Sequence, residues 1–151
     1  MADSNQFHAV ALDTEPPIFY MNDVSRTIIA LIVEYNRLSI AAGGGYKAAY
    51  TYDAGPNAVI YALEKDIKEI VQLIVSYFPQ RPNEFKDVFG LFGTDINTHA
   101  KVPEGFNEAV AKRFEVGAVK GLIHTRVGDG PRKLDASEGL LAANGLPKTL
   151  A

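Results

Sequence analysis

No cysteine occurs among the 151 residues, which excludes disulfides, thiolate nucleophiles and cysteine-type zinc sites, and accords with a reducing compartment. A basic excess is missing too. The formal charge is −3, and Lys and Arg are scattered rather than clustered, so nucleic acid and anionic membranes are poor partners. No apolar run approaches the roughly 18 residues of a membrane span. The opening segment Met1 to Phe7 has neither the charged region nor the apolar core of an export signal, so a soluble, cytoplasmic protein is expected. His8, His99 and His124 lie far apart without H-x3-H spacing or acidic neighbours at ligand distance, so no metal site is expected and they read as surface or hydrogen-bonded residues. Gly43-Gly44-Gly45 follows a helix rather than opening one and lacks GK[ST], which makes it a connector rather than a phosphate loop. No G-x-S-x-G surrounds Ser25 or Ser39.

What is present is enough apolar material, 47% of the residues, for one proper core. A single α+β domain over 1–131 with a peripheral tail over 132–151 is the expected organisation. The chain begins with helix-like sequence. Asn22 or Asp23 can cap a helix whose apolar positions Val24, Ile28, Ile29, Leu31, Ile32 and Tyr35 keep 3.6-residue spacing, and the glycine run stops it. Ala48 to Tyr52 and Ala58 to Leu63 read as an antiparallel hairpin. Glu64 to Phe78 carries an apolar stripe of Ile67, Ile70, Val71, Ile74 and Phe78, and Pro79 ends it. From Gln80 to Gly105 a partly helical connection anchored by Phe85, Phe89, Leu91 and Phe92 is expected. A short helix over Phe106 to Phe114 follows, then a strand over Ala118 to Val127 with Val119, Ile123 and Val127 on one face. These elements suggest helices layered on one face of an antiparallel sheet.

Asp53-Ala54-Gly55-Pro56-Asn57 is the most informative stretch. The hairpin delivers a carboxylate onto a turn whose glycine permits positive φ and whose proline fixes φ near −65°. Such a turn holds an acidic group in one place, as acid/base or electrostatic chemistry requires. The plainer reading is a turn residue capping its own backbone. Strand alternation sets Ala48, Tyr50 and Tyr52 on one face, expected against the helices, and Ala49, Thr51 and Asp53 on the other, toward solvent, a ligand or another domain. Arg126 and Arg132, flanking Val127 to Pro131, can clamp an anion or serve as edge-strand charges that blunt aggregation.

Gln6 to Asp13, Pro16 to Asp23 and Ala49 to Val59 are similar, in order, to the C-terminal part of diphosphomevalonate decarboxylases of the eukaryotic type, as are Val127 to Pro131 and Gly145 to Lys148. That family sits in the GHMP kinase superfamily. The resemblance implies a ferredoxin-like C-terminal domain, and conversion of (R)-5-diphosphomevalonate and ATP to isopentenyl diphosphate, carbon dioxide, ADP and phosphate in the mevalonate route to isoprenoids and sterols. It implies that Asp53 is catalytic, beside the tertiary 3-hydroxyl, with Ala54, Gly55, Pro56 and Asn57 supporting the turn. ATP and Mg2+ are implied for the full-length enzyme and none for this part alone. A homodimer and a partner N-terminal domain carrying the phosphate loop are implied as well, so the chain is expected to be a C-terminal fragment without activity by itself. Two other readings stay open: a stand-alone ferredoxin-like binding or regulatory module, and a fragment of another GHMP-type small-molecule kinase.

Overall fold

A computed structural model describes residues 1–53, 55–82 and 84–148. Ala54, a member of the acidic turn, therefore lies outside the described residues, as does the end of the tail. Helix α1 spans Ala2–Leu12 and α2 spans Asp23–Ala41; strands β1 (Ala48–Tyr52) and β2 (Ala58–Ala62) form the hairpin, and α3 covers Glu64–Tyr77. Short 3-10 turns follow at Ile96–His99 and Glu108–Val110.

Helix α2 starts at Asn22, whose side chain accepts from the Ser25 amide at 3.0 Å while the Ser25 hydroxyl accepts from the Asn22 amide at 3.3 Å. This reciprocal cap satisfies two amides that a helix start leaves open. Its stripe packs as the spacing predicts: Ile28, Leu31, Ile32 and Tyr35 are buried, with Val24 and Ile29 half-buried beside them. Helix α3 lies between two clusters. Ile70, Leu73, Ile74 and Tyr77 join α2 and the tyrosines of β1, whereas Val71 and Val75 meet Phe92 and Ile96 from the long connection. Each fully buried Leu, Ile or Phe of this kind contributes roughly 1.5–3 kcal/mol.

The hairpin is antiparallel, with Ala48 opposite Ala62 and Tyr52 opposite Ala58. Ala48, Tyr50 and Tyr52 are buried against the helices, and the Thr51 and Asp53 side is more open, as alternation requires. The arrangement is thus α+β, helices on one face of a two-stranded antiparallel sheet.

Two expected elements do not form. Phe106 to Phe114 makes only the 3-10 turn, because Phe106 must reach Tyr77 (ring centroids 6.3 Å) while Phe114 packs at a tilt against Phe78 (5.0 Å). Their backbone is committed elsewhere: the Phe114 amide donates to the Tyr77 carbonyl at 2.9 Å, and the Asn107 amide to the Glu34 carboxylate at 3.0 Å. Ala118 to Val127 is not a strand either. Among the described residues no strand pairs with it, and Ile123 and Val127 are 89% and 97% exposed while Val119 is half-buried. A β pattern supplies propensity, but a strand needs a partner for its amides and carbonyls.

Candidate active site around the Asp53 turn

The Asp53 carboxylate is exposed just beyond the end of β1. An added Cβ at Gly55 would meet nothing within 4 Å.

Rigidity comes from outside the turn. On the incoming side, the Tyr52 amide donates to the Ser4 hydroxyl of α1 at 2.9 Å, and that hydroxyl lies 3.3 Å from the Tyr52 carbonyl as donor. The Tyr52 phenol donates to the Ser25 carbonyl at 3.0 Å, and burial, reinforced by Tyr50, pushes its pKa above the phenol range, so it stays protonated and donating. On the outgoing side the Ser25 hydroxyl, which donates to Asn22 Oδ1 at 3.1 Å, lies 3.5 Å from the Pro56 carbonyl. The residue before Asp53 is thereby tied to the starts of α1 and α2.

A second side chain fixes the other end of β1. The Asn36 amide group donates to the Ala48 carbonyl at 2.8 Å, and its oxygen accepts from the Ala48 and Lys47 amides at 3.1 and 2.9 Å. Ser4 and Asn36 are buried polar residues that the sequence reading did not single out. For Asn36 a signal exists, since it lies one helical turn beyond Ile32 and beside Tyr35, on the buried side of α2.

The other candidates disperse. Arg132 pairs with Asp129, and Arg126 lies over the Phe89 ring at 5.4 Å, so they do not form an anion clamp; with no strand there, neither is an edge-strand charge. His8 is not a surface residue. It is buried among Phe7, Tyr20 and Tyr52, and its Nε2 finds no partner among the described residues. His124 is half-buried against Phe89, with Nδ1 likewise unpartnered. A cavity of about 150 Å³ lined by Arg81, Phe85, Asp95 and neighbours does not include Asp53.

Helices on one face of a hairpin, with an exposed carboxylate just past its first strand, make up an α+β domain. The chain belongs to the mevalonate 5-diphosphate decarboxylase C-terminal domain family, whose model matches residues 1–134. It is similar to a diphosphomevalonate decarboxylase of Ganoderma lucidum, 72% identical over 148 residues, covering 98% of this chain and 36% of that protein. The Homo sapiens diphosphomevalonate decarboxylase is 43% identical over 152 residues, covering 100% and 36%. Among solved structures, mevalonate diphosphate decarboxylase from Trypanosoma brucei aligns with a TM-score of 0.73 at 26% identity, over 94% of this chain and 36% of that one. The chain thus spans about a third of the length of the relatives it matches, and corresponds to their C-terminal part.

Proposed function

We propose that the full-length protein carrying this domain converts ATP and (R)-5-diphosphomevalonate to isopentenyl diphosphate, carbon dioxide, ADP and phosphate, with Asp53 as the catalytic carboxylate. The observation that carries the reading is Asp53 itself. It is exposed on the sheet side away from the helices, next to a strand end tied to two helix starts, and it stands in a chain of this family. A carboxylate held in this way can take the proton of a tertiary hydroxyl as that oxygen attacks the γ-phosphorus of ATP. It can also stabilise positive charge that develops at the same carbon once phosphate leaves. Positioning matters here at least as much as basicity, because a tertiary alcohol is a far weaker acid than a carboxylic acid.

By the family resemblance, ATP, its Mg2+ and the substrate diphosphate are assigned to the N-terminal remainder of the polypeptide, as partner of the Asp53 face. A homodimer in the cytoplasm, serving sterol and isoprenoid synthesis, belongs to the same proposal and rests on the family resemblance.

The test is turnover with ATP and diphosphomevalonate, following carbon dioxide and ADP together. The full-length protein is expected to release them in equal amounts, and the isolated chain to stay at background. ADP without carbon dioxide would indicate a simple kinase, and turnover by the isolated chain would overturn the assignment of the phosphate sites to the remainder.

A further inference from the structure

Helix α1 buries small and polar side chains and leaves its larger apolar ones exposed. Ser4, His8 and Ala11 are buried, whereas Phe7, Val10 and Leu12 are 47%, 58% and 51% exposed. Ser4 and His8, one helical turn apart, both meet Tyr52: the hydroxyl bonds its backbone and the imidazole stands edge-on to its ring at 6.2 Å. The contact joins residues 48 positions apart in sequence.

The edge of β1 explains what this contact does. Ala48 and Tyr52 direct their amides and carbonyls to side chains of α2 and α1, away from β2. Ser4 occupies the place that a neighbouring strand would take, satisfying donor and acceptor of the last residue of β1. The next residue is Asp53.

We propose that Ser4 is a positioning residue for Asp53, fixing the backbone from which the carboxylate projects; the proposal rests on the catalytic reading of Asp53. The phenol of Tyr52, bonded to Ser25, sets the ring and the pairing with β2 holds the inner edge, while the Tyr52 amide and carbonyl on the outer edge find their partner in Ser4. A hydroxyl is the group required, since the same oxygen must accept from one backbone atom and donate to another. Loss of the hydroxyl lets the strand end fray and spreads Asp53 over several orientations.

In the full-length decarboxylase, Ser4→Ala is expected to lower kcat about 10–100-fold, the scale of a misplaced reacting group, while KM for ATP and diphosphomevalonate stays within about twofold. Ser4→Thr, which keeps the hydroxyl, should recover most of the loss. Hydrogen exchange at the Tyr52 amide should quicken in Ser4→Ala, with the Ala48 amide unchanged. A Ser4→Ala enzyme with kcat within about twofold of the parent, or a Thr variant as slow as the Ala variant, overturns the proposal. Should Ser4→Ala fail to fold, the Thr variant decides alone: it must retain near-parental kcat and Tyr52 protection. Near-normal turnover of Asp53→Asn, by contrast, removes the catalytic reading beneath it while the Tyr52 exchange result keeps its meaning.

Discussion

Asn36→Ala removes one buried side chain that serves three backbone groups, two of them on Ala48, itself 4% exposed. The amide of half-buried Lys47 can turn to water, so its loss costs little. The Ala48 amide and carbonyl cannot easily do so, and each buried group left unpaired costs about 1–3 kcal/mol. Some water will enter the space the side chain leaves, so the expected destabilisation is about 2–4 kcal/mol, a sizeable part of the roughly 5–15 kcal/mol that holds a domain together. With a urea dependence of about 1–3 kcal/mol per molar, the unfolding midpoint should fall by about 1–2 M at unchanged slope. Equilibrium urea unfolding followed by far-ultraviolet circular dichroism measures this directly. Amide exchange at Ala48 should rise in step. A midpoint shift below about 0.3 M would refute the reasoning that Asn36 substitutes for a neighbouring strand at the start of β1.

Two further perturbations address other elements. Glu34 is buried, and the Arg37 guanidinium, followed by the Asn107 amide, holds its carboxyl below the ordinary range against the opposing effect of burial. A depressed folded pKa contributes stability above the unfolded value near 4.3, lost as pH falls through the folded value; Glu34→Gln should therefore flatten the acid side of the stability profile below about pH 4.3, measured by urea unfolding at stepped pH. Gly117 has φ of 89°, and an added Cβ would meet Arg81 Nη2 at 2.7 Å, whereas Gly121 has open space and no such backbone. Gly117→Ala is expected to cost about 1–2 kcal/mol, roughly 3–6 °C in Tm, while Gly121→Ala stays within about 0.5 kcal/mol.

Helices α2 and α3 and the hairpin were legible because their buried faces are apolar at the period of their own secondary structure. Ile28, Ile32 and Tyr35, or Ile70 and Ile74, announce a helix face without reference to the rest of the chain. Helix α1 gives no such signal, since the residues it buries are Ser4, His8 and Ala11 and its larger apolar side chains face out. Beyond Tyr77 the structure is set by single long-range contacts, such as Phe114 on Phe78 and Asn97 bonded to the Gln80 backbone, which no local pattern encodes. Asp53 was legible for another reason: its turn chemistry and strand alternation placed it on the open face, and the family resemblance attached a role to it. The residues that brace it were not, because a lone Ser or Asn looks the same in sequence whether it faces water or closes a strand edge.

The most direct test of the central claim is the turnover of Asp53→Asn in the full-length protein, with ATP and diphosphomevalonate binding measured alongside. The catalytic reading predicts a fall in kcat of about 100-fold or more with both ligands still bound. Turnover near that of the parent would contradict it and leave Asp53 a turn residue.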